Sequence, residues 1–81
     1  MRMRILLFAQ LKDVAGQAEF ELLLGEPVDA EGLWQRLLAA RPGLARFRPS
    51  VRLARNGEYA APDARFSDRD EVALIPPVSG G

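Results

Sequence analysis

The chain contains no cysteine, no histidine and no threonine among its 81 residues. Without cysteine and histidine it has no disulfide, thiol nucleophile, imidazole base, or thiolate or imidazole metal ligand. Carboxylates, Tyr59, Lys12 and three serines remain, and no serine is spaced to pair with an activating lysine or carboxylate. We therefore expect a protein that is not catalytic alone and that itself binds no cofactor and no metal ion.

Long apolar runs and an excess of charge of one sign are also missing. No apolar stretch approaches the roughly 20 residues that span a bilayer, and no small-residue cleavage site follows the apolar residues near Met1. Eleven basic residues balance eleven acidic ones, which argues against recruitment to nucleic acid or a membrane surface by bulk charge. We expect a cytoplasmic protein with no membrane or nucleic-acid partner.

The length and composition are those of one small globular domain, with 48% hydrophobic and 27% charged residues. Ten of the eleven basic residues are arginines. A cluster of four arginines within ten positions is consistent with a local basic patch, but we interpret it as solvated surface: Arg46, Arg48, Arg52 and Arg55.

Alternating apolar residues predict two strands in the first third of the chain. The first strand, Arg2 to Ala9, has one face that is apolar throughout. Its other face begins with arginines and becomes apolar at Leu6 and Phe8. Either this strand is covered on both sides at that end, or Phe8 belongs to an exposed contact surface. Gln10 to Ala15 is a short helical turn closed by Gly16, and Ala18 to Leu24 is a half-buried strand.

The middle of the chain predicts one main helix. Asp29 is a favourable N-cap, Glu31 suits the first helical turn, and Pro42-Gly43 ends the element. Apolar residues recur at helical spacing from Leu33 to Leu38. Trp34 lies among them, and we interpret it as a core aromatic rather than a ligand-stacking platform.

The last third predicts a short strand, a returning strand and a central strand. The short strand, Val51 to Arg55, leads into the turn Asn56-Gly57, and residues 58–60 form the returning strand. Phe66 is predicted to be a buried anchor. The strand from Glu71 to Ile75 is apolar enough to be central in the sheet. The element order predicts an α+β fold, the ubiquitin-like β-grasp, with a mixed sheet and one main helix on one face. The predicted core is Ile5, Leu7, Phe20, Leu22, Leu33, Leu37, Val51, Leu53, Val72 and Leu74.

The sequence ends in Pro76-Pro77-Val78-Ser79-Gly80-Gly81. Neither proline has a backbone N–H, so the pair ends the sheet and favours an extended chain. Gly80 and Gly81 lack a Cβ, so a narrow channel in another protein can close around their backbone. We therefore divide the chain into a β-grasp domain, residues 1–76, and a flexible, extended Gly-Gly tail, residues 77–81. A frayed, inert terminus is the alternative.

The segment from Asp70 to Gly81 resembles the C-terminal signature of the small subunit of molybdopterin synthase, a ubiquitin-like sulfur carrier. The residues from Leu6 to Leu11 are similar to the first strand of that family, and length and element order agree over the whole chain. One departure is Arg69, where the family usually has glycine. If that turn requires a positive φ, Arg69 is mildly strained.

The resemblance implies that the carboxylate of Gly81 is the reactive group, with Gly80 needed for tail insertion. An E1-like adenylyltransferase would use ATP and Mg²⁺ to convert Gly81 into an acyl-adenylate, and a persulfide sulfur donor would then yield a thiocarboxylate. The thiocarboxylate would donate sulfur to a cyclic pyranopterin monophosphate held by the large subunit of molybdopterin synthase, with which this chain would form a heterotetramer.

Three other functions stay open on the sequence. A sulfur carrier of the same class could serve thiazole synthesis, tRNA thiolation or cysteine synthesis. A ubiquitin-like modifier would form isopeptide bonds with lysines of target proteins. A plain binding module would use the same fold with an inert tail.

Apolar residues outside the predicted core suggest where partners bind. Phe8 and Ile75 lie opposite core residues in their strands, and Tyr59 follows the Asn56-Gly57 turn. We expect all three to meet on the sheet face away from the helix, near the tail. The alternative is scattered surface residues or, for Phe8, a second minor core. The predicted partner-binding residues are Phe8, Tyr59, Ile75, Pro76, Pro77, Val78 and Ser79.

Overall fold

A computed structural model describes residues 1–77. In that range, each segment predicted from its apolar periodicity forms a strand or a helix. The strands are β1 (Arg2–Leu7), β2 (Glu19–Leu23), β3 (Val28–Asp29), β4 (Arg52–Arg55), β5 (Glu58–Tyr59), β6 (Arg65–Phe66) and β7 (Glu71–Ile75). The helices are α1 (Gln10–Ala15), α2 (Ala30–Ala40) and a 3₁₀-helix (Pro42–Ser50). In the same range, no helix is long and apolar enough to cross a membrane.

The main sheet has the strand order β2-β1-β7-β4-β5. β1 and β7 are parallel, and the other neighbours in this sheet are antiparallel. The apolar last strand is therefore central, as predicted, with a hydrogen-bonded strand on each side. A mixed sheet crossed on one face by α2 is the β-grasp arrangement, so the predicted fold class is confirmed.

Helix α2 begins where the sequence predicts. The Asp29 carboxylate accepts a hydrogen bond from the backbone N–H of Gly32 at 2.8 Å, which satisfies one donor of the first turn. Leu33, Trp34 and Leu37 form the buried side of the helix. Trp34 is only 5% exposed, which confirms that it is a core residue. The helix ends at Ala40 because Pro42 cannot continue its hydrogen-bond ladder.

The core lies between α2 and one face of the sheet, and eight of its ten predicted members are buried. The other two, Val51 and Leu53, were predicted wrongly, since both are only partly buried. α2 packs mainly against β2, β3, β6 and the 3₁₀-helix, so the core face of β4 is covered less completely. Trp34 and Phe66, predicted individually as a core aromatic and a buried anchor, are buried as well. The buried residues that the sequence did not predict are Met3, Leu11, Leu24, Leu44 and Ala54.

Three local features differ from the sequence prediction. β1 ends at Leu7 rather than at Ala9, whose φ of 51° turns the chain out of the strand. Residues 42–50 form a 3₁₀-helix that buries Leu44, where only a break was predicted. Finally, β3 and β6 pair as a small second sheet, with Val28 opposite Phe66.

In the turn before β7, Arg69 has a φ of 69°. A positive φ is the conformation suggested by the glycine that the family resembled usually has at this position. Its backbone N–H donates to the carbonyl of Arg2 at 2.7 Å, which joins the turn to β1. The carboxylate of Asp70 accepts hydrogen bonds from the Ser67 N–H at 2.8 Å and the Asn56 amide at 3.0 Å. These bonds hold a backbone conformation that costs a residue with a Cβ about 1 kcal/mol or more.

Replacing Leu37 by Ala should lower the free energy of unfolding by about 2–5 kcal/mol, because Leu37 is completely buried and a cavity would remain. The matched control is Leu23→Ala, the same chemical change at a position that is 69% exposed, and it should cost less than about 0.5 kcal/mol. Urea denaturation measures both. Similar losses for the two variants would show that the buried face of α2 is assigned wrongly.

Replacing Arg69 by Gly should raise the free energy of unfolding by about 0.5–1 kcal/mol, since relief of the left-handed strain exceeds the extra chain entropy of glycine. Arg69→Ala is the control, because it removes the same side chain but keeps the strain. Thermal and urea unfolding of the three proteins provide the measurement. A glycine variant no more stable than the alanine variant would contradict a strained turn.

Candidate functional site

The chain leaves the sheet from the end of its central strand. β7 ends at Ile75, followed by a half-buried Pro76 and an exposed Pro77. β1 runs parallel to β7 and ends at the same edge, while the antiparallel β4 begins there. The predicted tail residues Val78, Ser79, Gly80 and Gly81 lie outside the described residues, so their predicted roles stay predictions.

The sheet face away from α2, called here the open face, carries a patch of apolar side chains at this edge. The register places Ala73 of β7 between Leu6 of β1 and Ala54 of β4, and Ala54 beside Tyr59 of β5. The next row pairs Ile75 with Arg52. Continuing the β1–β7 register places Phe8 level with Ile75. We call this set the tail-end patch: Leu6, Phe8, Arg52, Ala54, Tyr59, Ala73 and Ile75.

The register brings Tyr59 and Ile75 to one face, as the sequence predicted, and its continuation beyond Leu7 places Phe8 on that face as well. The role of all three residues in binding stays a prediction. Phe8 is 47% and Tyr59 58% exposed, so both rings present apolar area to solvent. Ile75 is half-buried between its neighbours. Of the two alternatives for Phe8, the structure favours the exposed contact surface over a second minor core. Small side chains at Ala54 and Ala73 leave the middle of the patch shallow.

The backbone after Phe8 is strained. Ala9 has φ 51° and ψ −130°, a conformation that residues with a Cβ rarely adopt and that costs on the order of 1–3 kcal/mol. The chain turns directly into α1, where the N–H of Leu11 donates to the carbonyl of Phe8 at 3.0 Å. Leu11 is fully buried, and its burial offsets the strain. The turn thus fixes Phe8 at the rim of the patch.

The opposite end of the open face is polar and internally paired. Arg2 lies 3.1 Å from Glu21, and Arg4 lies 3.5 Å from Glu19 and also pairs with Glu71. The hydrogen bond from Arg4 to Glu71, with the charges of Glu71 and Glu19, raises the pKa of Arg4. Each of these charged side chains has a partner of opposite sign, so the open face is divided into an ion-paired end and the tail-end patch.

The sequence prediction missed four members of the patch: Leu6, Arg52, Ala54 and Ala73. The strand from Val51 to Arg55 alternates, and this alternation could have placed Arg52 and Ala54 opposite Leu53. The guanidinium carbon of Arg52 lies 4.1 Å from the centroid of the Tyr59 ring. Their register positions make the two side chains diagonal neighbours on antiparallel strands.

The other clustered arginines have separate partners. Arg48 pairs with Glu31 and lies 5.5 Å from the Trp34 ring centroid, and its hydrogen bond and charge lower the pKa of Glu31. Arg55 donates to the backbone carbonyl of Arg65, and Arg46 lies 4.8 Å from the Phe47 ring centroid. Within the described chain, no group of three or more acidic residues could hold a metal ion. The exposed apolar side chains of the tail-end patch are of a kind that can bind another protein.

Comparisons with known proteins agree with this geometry. The model of the ThiS family matches residues 5–81. A molybdopterin synthase sulfur carrier subunit from Chlamydomonas reinhardtii is 39% identical over 83 residues, covering all of both chains. Small archaeal modifier protein 1 from Haloferax volcanii has a TM-score of 0.85 at 32% identity, also with full coverage of both chains.

A further solved structure shows the same fold at 21% identity and a TM-score of 0.69, with full coverage of both chains. It is a protein–protein complex of subunits 1 and 2 of the molybdopterin-converting factor from Helicobacter pylori. The full-length relative from Chlamydomonas reinhardtii, at 39% identity, confirms the resemblance to the small subunit of molybdopterin synthase over the whole chain. With its family match from residue 5 to Gly81 and its β-grasp sheet, this protein belongs to the ThiS family.

Proposed function

We propose that this chain is the sulfur carrier subunit of a molybdopterin synthase and that its reactive group is the carboxylate of Gly81. The observation that carries the proposal is the tail-end patch, which lies where the central strand ends and the chain continues toward Gly81. The family match, which extends to Gly81, and the full-length sulfur carrier relative support it. An exposed apolar surface beside a reactive terminus lets a partner bind the domain while it acts on the tail.

The first step is activation of Gly81 by an E1-like adenylyltransferase. A free carboxylate is a poor electrophile, because the attacking group would have to expel an oxide. In the activating partner, a carboxylate oxygen attacks the α-phosphorus of ATP with the help of Mg²⁺, and pyrophosphate leaves. The product is an acyl-adenylate whose leaving group is AMP. This chain contributes the carboxylate and the docking surface, and the partner holds the nucleotide.

The second step places sulfur on the terminus. The terminal sulfur of a persulfide donor attacks the acyl carbon and AMP leaves, which gives an acyl disulfide. A thiol then attacks the donor's sulfur, the S–S bond breaks, and the thiocarboxylate of Gly81 is released with a new disulfide between donor and thiol. The reactive sulfur is therefore added after translation, consistent with a chain that has no cysteine of its own.

The third step is delivery to the large subunit of the synthase. The thiocarboxylate sulfur attacks a side-chain carbon of the pterin precursor and displaces an oxygen substituent there, which links the two as a thioester. Water then hydrolyses the thioester, so the acyl C–S bond breaks, the sulfur stays on the pterin and the carboxylate of Gly81 is regenerated. Two such transfers supply the two sulfurs of the dithiolene. Because the tail-end patch adjoins the tail, the large subunit and the adenylyltransferase would use the same patch. The carrier must therefore dissociate from one partner before it binds the other.

A protein modifier is the second candidate, favoured by the likeness to small archaeal modifier protein 1. It would share adenylation of Gly81 but pass the acyl group to amines of target proteins. Immunoblots of the host distinguish the two functions. A ladder of conjugates that disappears when Gly81 is deleted supports the modifier, whereas a single band of unconjugated protein supports the carrier.

Deleting Gly81, or adding one serine after it, should abolish sulfur transfer while thermal unfolding stays unchanged, because residues 1–76 supply the predicted folded domain. The assay combines the variant with the adenylyltransferase, ATP, a persulfide donor, the large subunit and the precursor, and measures dithiolene product. Arg36→Gln, an exposed change on α2, is the control and should keep full transfer. Full transfer by the truncated protein would contradict Gly81 as the reactive residue.

Replacing Phe8 by Ser or Ile75 by Lys should each weaken binding to the large subunit by roughly ten- to a hundredfold, because each removes apolar area from the patch centre or its rim. Leu23→Ser is the matched control. Leu23 is 69% exposed on the same face but opposite Arg2, at the ion-paired end.

Calorimetric titration measures the binding, and urea denaturation measures stability in parallel. The control variant should bind as tightly as the original protein. Unchanged binding of both patch variants would exclude this docking surface, and unfolding of either would show that the residue belongs to the core.

A further inference from the structure

The tail-end patch carries one charge. Its other six members are apolar, and Arg52, an exposed residue, lies among them in register with Ile75. Four other arginines pair with carboxylates: Arg2, Arg4, Arg48 and Arg69. Within residues 1–77, no acidic side chain lies within salt-bridge distance of Arg52. Among the described cations of the open face, Arg2 and Arg4 have carboxylate partners and Arg52 has none.

Tyr59 holds the Arg52 guanidinium in place. A distance of 4.1 Å from the guanidinium carbon to the ring centroid is that of a close cation–π contact. A guanidinium packed on an aromatic ring keeps its N–H groups directed outward from its edge, where they form a planar fork that fits a carboxylate. The ring also shields one face of the cation from water. The contact therefore favours an outward orientation of the fork before any partner arrives.

A partner that covers this patch must also cover Arg52. An interface that removed water from the guanidinium without supplying an acceptor would leave a charge unpaired, which is strongly unfavourable. The favourable solution is a carboxylate on the partner that accepts two hydrogen bonds from the fork. We propose that the large subunit presents an Asp or Glu side chain to Arg52, and this inference rests on the proposed function.

A protein carboxylate fits the surroundings of Arg52 better than a phosphate does. Sites that bind phosphate combine several cations or a row of backbone N–H groups. In the tail-end patch, by contrast, Arg52 is the only charged residue of seven. Of the other six, five have apolar side chains and the sixth is Tyr59, whose ring contacts the guanidinium. Apolar area around one oriented charge is the composition of a protein interface centre, where arginine and aromatic residues are enriched.

An ion pair between Arg52 and the large subunit would also orient the two proteins. Arg52 lies opposite Ile75, the last residue of β7, so a carboxylate fixed on it would set how the large subunit approaches the strand end that leads to the tail. Bidentate pairing restricts rotation as well as distance. Arg52 is thus a positioning residue for delivery of Gly81, and it does not touch the reacting atoms.

The test compares Arg52→Leu, Arg52→Lys and Arg52→Glu in calorimetric titrations with the large subunit, at low and at high salt. Leucine keeps the patch apolar but leaves the partner's carboxylate without a cation, so binding should weaken at least tenfold. Lysine keeps the charge and loses the fork, so its loss should be smaller. Glutamate places like charges together, so its loss should be the largest, above roughly a hundredfold. Arg36→Leu, the same change on the exposed side of α2, should bind normally.

Two further results secure the interpretation. Binding of the original protein should fall more steeply with salt than binding of Arg52→Leu, because only the former contains the ion pair. Changing the responsible acidic residue of the large subunit to Arg should restore binding of Arg52→Glu, and a survey of its surface carboxylates that restores nothing would overturn the inference.

The binding titrations also distinguish a failure of this inference from a failure of the proposed docking surface. If Phe8→Ser weakens binding while Arg52→Leu binds as tightly as the original protein or more tightly, the patch is the docking surface and the carboxylate inference is wrong. If neither change affects binding, the docking surface itself is wrong and the inference falls with it. Urea denaturation of each variant confirms that folded proteins are compared.

Discussion

The parallel pairing of β1 and β7 at the centre of the sheet is the constraint on which the rest of the structure depends. It joins the two ends of the chain, with Ile5 opposite Val72 and Leu7 opposite Leu74, so folding requires contacts between residues far apart in sequence. Parallel strands need a long connection, and the residues between them supply the helix that covers one face. The same pairing places the end of β1 and the end of β7 at one edge, which creates the tail-end patch.

A central strand with two hydrogen-bonded neighbours has both of its backbone edges satisfied, so alternate residues of β7 can serve different purposes. Val72 and Leu74 are buried in the core, while Ala73 and Ile75 belong to the open face. A partner that bound Ile75 would therefore contact a residue anchored by the core immediately behind it. Such a surface is held rigidly, and little ordering entropy is lost when a partner binds.

Much of the fold was predictable because the apolar periodicities are regular and the breaks are chemically explicit. Asp29, Pro42 and Asn56-Gly57 fixed where α2 begins and ends and where β4 turns. The 3₁₀-helix over Pro42–Ser50 and the β3–β6 pair were not predictable, because neither a run of 3₁₀ turns nor a pair of two-residue strands leaves the apolar periodicity of an α-helix or a longer strand. Val51 and Leu53 have the pattern of core residues, but burial depends on where α2 lies across the sheet.

The site was predictable only in part, for a related reason. Phe8, Tyr59 and Ile75 were recognisable as apolar residues left over by the core assignment, but Arg52 was not, because an arginine in a strand usually marks solvated surface. Its significance depends on register, which brings it beside Tyr59 and Ile75. Likewise, an unusual backbone at Ala9 cannot be read from alanine, whereas the turn at Arg69 could be inferred from the resemblance to a family with glycine there.

The central claim is that Gly81 carries sulfur, and the intact mass of the protein purified from its own host tests it most directly. The account predicts a population heavier by the exchange of one oxygen for one sulfur, with the added mass on the C-terminal peptide, and predicts that this population disappears when the adenylyltransferase is deleted. A terminus that remains an ordinary carboxylate while the host still makes molybdopterin through this protein would contradict the account.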